Sequence, residues 1–267
     1  MERTPDWSPD DIDPTVPSSA RMYDYVLGGF NNFEVDRKLS DWVSQTMPEV
    51  ARGARDNRAF LRRVVTFLVR EAGIRQFLDL GSGIPTAGNV HEIAQRLAPE
   101  TRVAYVDIDP VAVSVARRLL TANPHATAVR GDLTDIELVL ADPDVRDLID
   151  FTRPVAVLLV SVLHFVPESA RPADIIARVR KVLAPGSFLA ISHFTDDGQE
   201  EYARRIVAMS RQTPTPTTPR TWAQVADLFT GFTLVAPGLV DAAEWRPEEP
   251  DAPAAKSGWY GGVGALD

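Results

Sequence analysis

The chain has 267 residues, 45% of them hydrophobic and 24% charged, a balance that supports one sizeable core and excludes disorder throughout. Lys plus Arg number 28 against 37 for Asp plus Glu, a net charge of −9 that argues against a nucleic-acid partner, because gripping a phosphate backbone needs a broad basic surface. Cysteine is absent, which excludes disulfides, thiolate metal sites and a cysteine nucleophile.

The longest apolar stretch, residues 155–163, is far short of the ~20 residues of a membrane helix, and the acidic start over residues 1–14 lacks the apolar centre of a signal peptide. A soluble, cytoplasmic protein with no membrane partner is expected. Residues 1–17 mix Asp, Pro, Ser and Thr with little to bury and read as a flexible acidic tail. Residues 18–73 read as an N-terminal helical extension. Ser18 or Ser19 can cap a short helix carrying Met22, Tyr23, Val26 and Leu27, which Gly28 and Gly29 would end. A second helical piece is expected over residues 41–47, and a longer helix over about residues 54–71, where Phe60, Leu61, Val64, Val65 and Leu68 recur at helical spacing before Gly73.

From residue 74 onward short β-rich runs alternate with helical segments, the pattern of a parallel sheet covered by helices on both faces. Strands are predicted at residues 76–80, 102–107, 126–130, 155–160 and 187–192. The intervening helices carry start signals: Asn89 with Glu92, Asp109 followed by Pro110, and Pro172 ahead of Ile175, Ile176 and Val179. After a helix over residues 200–211 comes a Pro/Thr loop, 213–219, and Thr221 with Gln224 opens another helix. Residues 232–235 and 258–264 are expected to pair as antiparallel closing strands. The connection between them, 241–257, is rich in Pro, Glu and Ala, longer than most connections, and reads as mobile. No repeat and no second core is visible, so residues 74–267 with the docked extension form one expected domain.

The sharpest chemical feature is Phe77-Leu78-Asp79-Leu80-Gly81-Ser82-Gly83, an apolar strand that ends in an acid and a Gly-x-Gly turn at the sheet edge where open α/β folds bind ligands. Next is Tyr105-Val106-Asp107-Ile108-Asp109-Pro110, where Asp107 at the strand end can accept both hydroxyls of a ribose and Asp109 reads as a helix cap. Third is Gly131-Asp132-Leu133, whose carboxylate can accept from an exocyclic amino group such as that of adenine. A dinucleotide fingerprint would need glycine where Thr86 stands, and Pro85 with the late cap at Asn89 leaves no helix N-terminus close to the turn for a pyrophosphate. A ligand without phosphates therefore fits better than NAD.

Together and in order, these three features resemble the methionine-binding glycine loop, ribose acid and adenine-contacting acid of the S-adenosylmethionine-dependent methyltransferases. The run Leu158-Leu159-Val160-Ser161-Val162-Leu163-His164-Phe165 is similar to the segment that borders their methyl-transfer site. The resemblance extends to the narrower S-adenosyl methyltransferase family, an actinobacterial-type group formerly called a domain of unknown function. It is carried by Ala20-Arg21-Met22-Tyr23-Asp24-Tyr25-Val26-Leu27-Gly28-Gly29, by Asn57-Arg58-Ala59-Phe60-Leu61 and by the run Gly83-Ile84-Pro85-Thr86-Ala87-Gly88-Asn89-Val90-His91-Glu92. It implies a Rossmann-like, doubly wound α/β sheet of seven strands with the last antiparallel, and S-adenosylmethionine as cofactor with S-adenosylhomocysteine as product. The implied cofactor-binding residues are Asp79, Gly81, Ser82, Gly83, Asp107, Ile108, Asp132, Leu133 and Ser161. It brings no known substrate.

A methyl donor already activated needs chiefly an acceptor held in line, and a base only where the acceptor must lose a proton. His164, after the fourth strand, is the best-placed base, against the alternative of a packed Leu-His-aromatic turn; His193 has a weaker case. Tyr23 is a second catalytic candidate, on a helix whose Gly28-Gly29 end could hinge as a lid. Arg52, Arg55, Arg58 and Arg62 share a helical face that reads as a solvated stripe, with Arg58 the one able to reach a methionyl carboxylate. No metal-ligand cluster is visible. The expected function is methyl transfer to a small molecule; the alternatives are a non-catalytic S-adenosylmethionine or S-adenosylhomocysteine binder and, less favoured, a nicotinamide-dependent oxidoreductase.

Overall fold

The structure, a computed structural model, describes residues 12–86, 88–248 and 256–267. Three helices open the chain: α1 (Ser19–Val26), α2 (Glu34–Thr46) and α3 (Glu49–Arg70). Ser18 takes the cap position of α1, yet its hydroxyl donates to Asp109 and accepts no helix N–H. Gly28, at φ +84°, follows the end of α1 in the left-handed conformation that a side chain disfavours. Helix α2 begins well before the expected residue 41, because Asp36 accepts the Phe33 N–H at 2.9 Å and closes the first turn.

The remaining elements are β1 (Gln76–Leu80), α4 (Val90–Leu97), β2 (Arg102–Asp107), α5 (Pro110–Leu120), β3 (Ala126–Arg130), α6 (Ile136–Ala141), α7 (Pro143–Leu148), β4 (Ala156–Val160), α8 (Pro172–Val182), β5 (Phe188–Phe194), α9 (Glu200–Ser210), α10 (Trp222–Asp227), β6 (Thr233–Leu234), β7 (Val240–Asp241) and β8 (Trp259–Ala265). The sheet runs β3-β2-β1-β4-β5-β8-β6, with β7 paired to β8. Strands β1 to β5 are parallel, and β8 is antiparallel to β5, β6 and β7. Chain order reverses between β1 and β4, so the carboxyl ends of these two strands flank the switch point at which such sheets form a crevice.

Alternation along each strand divides the core in two. Phe77, Val103, Tyr105, Leu158 and Ala190 pack on one face with α3, α4, α5 and α9. Leu78, Ala104, Val106, Val157 and Ile191 pack on the other with α6, α7, α8 and α10. Val43 and Met47 of α2 belong to the first cluster, so the N-terminal helices share the core of the sheet. Burying one such side chain is worth roughly 1.5–3 kcal/mol, and α3 contributes Phe60, Leu61, Val64, Val65 and Leu68.

Two sequence expectations need correction or completion. The connection read as mobile is packed over residues 241–248: Ala242 and Trp245 are 0% exposed, and Arg63 of α3 donates to Trp245 O at 2.7 Å and Ala242 O at 2.6 Å. Trp245 meets Phe60 and Phe67 edge-on at 5.6 and 5.8 Å. Residues 249–255 of that connection, and residues 1–11 of the expected tail, lie outside the described residues. Helices α6 and α7 were not expected; each has six residues, too few to show a helical period. Among the described residues no helix is long and apolar enough to cross a membrane.

Candidate functional site

The strand ends at the switch point open into a cavity of about 790 Å³, which Tyr23, Arg58, Asp79, Gly81, Ser82, Gly83, Asp107, Ile108, Asp132, Leu133, Ser161 and His164 all line. The structure thus brings these residues to one chamber, whereas His193, the weaker base candidate, does not line it. Its size lies within the range of roughly 300–1,000 Å³ common to small-molecule sites.

Glycine is required at both ends of the first turn for different reasons. At Gly81, φ is +73° and a Cβ would fall 2.1 Å from Val162 Cγ2, so the chain after β4 packs directly on the turn. At Gly83, φ is +64° and a Cβ would meet nothing within 4 Å, leaving the backbone open for close approach. The Gly83 N–H donates to Asp107 Oδ2 at 2.6 Å, while Asp107 Oδ1 accepts from the Asp109 N–H at 2.8 Å. Burial raises the Asp107 carboxyl to about 6 despite these hydrogen bonds. Asp79 is pushed up to about 7, again by burial, with Arg58 opposing and Asp107 adding to the shift.

Arg58 Nη2 donates to Asn89 Oδ1 at 3.1 Å, which couples α3 to the start of α4. It is half-buried, whereas Arg52, Arg55 and Arg62 are exposed. Asp132 Oδ1 accepts both the N–H and the hydroxyl of Thr134 at 2.8 Å. Ile108 is 49% exposed although apolar. Thr86, standing where a dinucleotide fingerprint needs glycine, donates to Asp24 at 2.7 Å.

The chain after β4 is held from two sides. Ser161 adopts φ +59°, rare for a residue with a side chain, and its N–H donates to Ser192 O at 3.1 Å and Oγ at 2.9 Å. Ser192 Oγ donates in turn to Asn57, whose Nδ2 donates to Tyr23 Oη at 3.1 Å, and Tyr23 donates to Ala54 O at 3.1 Å. The single Tyr23 proton is committed to that carbonyl and burial raises the phenol's pKa. On the other side Arg220, 3% exposed, donates to Leu163 O at 2.9 Å, Val166 O at 3.1 Å and Glu168 at 3.1 Å. Its Nη1 also donates to His193 Nε2 at 2.8 Å, and His193 Nδ1 donates to Phe194 O at 2.7 Å. Both ring nitrogens of His193 are used, and burial drives its pKa down to about 3, which makes it a structural residue.

His164 is 4% exposed and stacks at a tilt on Phe165, 4.2 Å between centroids. Its Nδ1 is buried without a hydrogen-bond partner among the described residues. Burial, with His193 and Arg220 beside it, holds its pKa well below the usual imidazole value, so the ring is neutral. It is both packed and on the cavity wall.

Helix α1 is fastened across the cavity by residues the sequence reading did not assign. Asp36 accepts from Ser18 N at 2.9 Å and Arg21 Nε at 2.7 Å, and both Asp36 and Arg21 are buried. Asp24, 1% exposed, accepts from Asn31 N and Asn32 Nδ2 at 2.9 Å and from Thr86 of the glycine loop. Val16 O accepts from Arg21, and Val16 and Ile12 also line the cavity. Asp24 and Asp36 in a short apolar-bearing segment were the available signal; Arg220, between the Pro/Thr loop and the helix start at Thr221, offered none.

The sequence matches the family described as S-adenosyl methyltransferase over residues 5–267. A methyltransferase candidate from Thermobifida fusca YX, known from a crystal structure, is 39% identical with a TM-score of 0.92, covering 98% of this chain and 100% of its own. A DUF574 family protein from Streptomyces avermitilis MA-4680 is 36% identical with a TM-score of 0.91, covering 96% and 99%. The N-methyltransferase NodS from Bradyrhizobium japonicum WM9, in complex with S-adenosylhomocysteine, is 14% identical over 92% of this chain and 98% of its own; its TM-score of 0.51 shows a shared fold. No curated protein matches the sequence. The chain belongs to the S-adenosyl methyltransferase family.

Proposed function

We propose that the protein transfers the methyl group of S-adenosylmethionine to a small-molecule acceptor, releasing S-adenosylhomocysteine. The observation that carries this reading is one chamber that joins the acids at the carboxyl ends of β1, β2 and β3 to a second half walled by α2, α9 and the uncharged residues of α1 and α3. The residues fit the cofactor. Asp107 retains lone pairs for a ribose diol beyond those used by Gly83 and Asp109. Asp132 Oδ2 suits an exocyclic amino group, with the apolar Ile108 and Leu133 on the same wall to cover a purine. Open backbone at Gly83 lets a methionyl chain approach, and Arg58 and Asp79 offer a cation and an anion for its carboxylate and ammonium.

When bound, S-adenosylmethionine supplies a methyl group already activated on a sulfonium. The protein's work is then to align the acceptor and exclude water. Ser161 and Val162, pinned through Ser192 and against Gly81, fix the wall beside the reacting centre. His164, on the cavity wall, is the side chain placed to receive the proton of an acceptor that must lose one, although burial weakens it as a base. Helix α1 closes the chamber through the Ser18–Asp109 and Arg21–Asp36 contacts, and parting these opens it for exchange.

Incubation of the protein with methyl-labelled S-adenosylmethionine and a small-molecule cell extract tests the reading. Label is expected in a low-mass product. S-adenosylhomocysteine binding without label transfer across such extracts favours the non-catalytic binder instead.

A further inference from the structure

We infer that the half of the cavity beyond β4 is a site for a neutral aromatic hydroxyl compound, methylated on oxygen. The inference rests on the methyl-transfer reading above and names the substrate class for it. Every charged residue lining the cavity belongs to the carboxyl end of β1, β2 or β3 or the turn after it, to Arg58, or to positions 13 and 21 of the N-terminal segment. The walls supplied by α2, α9 and the ends of β5 and β8 carry none: they present Val43, Ile206, Met209, Phe194 and Trp259.

A carboxylate, phosphate or alkylammonium on the acceptor would lose its water there with no counter-ion to replace it. An aromatic alcohol is neutral near pH 7, and its flat body matches aromatic edges and a methionine sulfur. A second observation points to a polar group on that body. Among the described residues five buried side-chain polar atoms lack a hydrogen-bond partner, and three of them, Ser40 Oγ, His164 Nδ1 and Trp259 Nε1, belong to residues lining this cavity. Buried polar atoms are ordinarily paired. A hydroxyl both donates and accepts, and so suits an imidazole nitrogen and an indole or serine donor alike once a small side-chain rotation turns such a buried atom toward the cavity.

The reaction balances on this assignment. The acceptor oxygen forms its bond to the methyl carbon as the S–CH₃ bond breaks with its electron pair left on sulfur. The hydroxyl proton passes to the neutral imidazole of His164 and from there to water.

Three probes of one ring system, naphthol, naphthoate and naphthylmethylammonium, are titrated into the full chain saturated with S-adenosylhomocysteine, whose own binding is measured first. Naphthol is expected to bind about 100-fold more tightly than either ion. In Met209→Lys, a half-buried wall position, naphthoate is expected to gain at least about tenfold relative to naphthol, with S-adenosylhomocysteine affinity unchanged. Equal binding of the three probes, preference for an ion, or no naphthol binding to the loaded protein overturns the inference and leaves the methyl-transfer reading standing. Failure of S-adenosylhomocysteine to bind the folded protein overturns that reading, and this inference with it.

Discussion

Asp107 and Asp79 titrate near neutrality because burial raises them to about 6 and about 7 from 3.8. Their folded-state values lie above the unfolded one, so the stability linked to their protons is complete below pH 4 and is lost as pH rises through 6 to 7. Urea denaturation of the unliganded protein should therefore show stability falling over that window. Asp107→Asn should flatten part of the slope and stabilise the unliganded protein by roughly 1–3 kcal/mol at pH 8, while weakening S-adenosylhomocysteine. An unchanged slope with unchanged affinity contradicts both the burial and the ribose assignment. The acids were legible because a carboxylate at a strand end followed by glycine or a cap has few structural duties. The duty of Tyr23 was not, since its partners Ala54 and Asn57 lie 31 and 34 residues away in sequence.

At the scale of elements, the parallel strands were legible because both faces are buried and apolar, and caps such as Glu92 on Asn89 N, 2.9 Å, sit where the sequence places them. The connection over residues 241–248 was misread because one tryptophan outweighs its Pro, Glu and Ala neighbours. Trp245→Ala should cost roughly 3–5 kcal/mol by urea denaturation; a loss under 1 kcal/mol would mean that the tryptophan does not anchor the connection. Arg220 clamps the chain after β4 in the same remote fashion. Arg220→Met strands Val166 O and His193 Nε2 and leaves Leu163 O only its bond from the Val166 N–H, and should cost roughly 3 kcal/mol. Stability equal to the parent would show that these acceptors find other partners.

For the molecule as a whole, the alternation of strands and helices fixed the doubly wound class, and the reversal of strand order at β1 and β4 explains why residues as distant as Tyr23, Asp132 and His164 share one cavity. What the pattern could not reveal is the seam between N-terminal helices and sheet, because the Ser18–Asp109 and Asp24–Thr86 contacts that form it follow no period. Thr86 bound to Asp24, and α4 starting only at Val90, leave the glycine turn without the helix N-terminus that a pyrophosphate requires. The central claim is that this turn and its acids hold S-adenosylmethionine. Calorimetric titration of the ligand-free protein with S-adenosylmethionine, S-adenosylhomocysteine and NAD in parallel tests it directly: the account predicts binding of the first two and none of the third, and a folded protein that binds neither sulfur ligand, or binds NAD in their place, contradicts it.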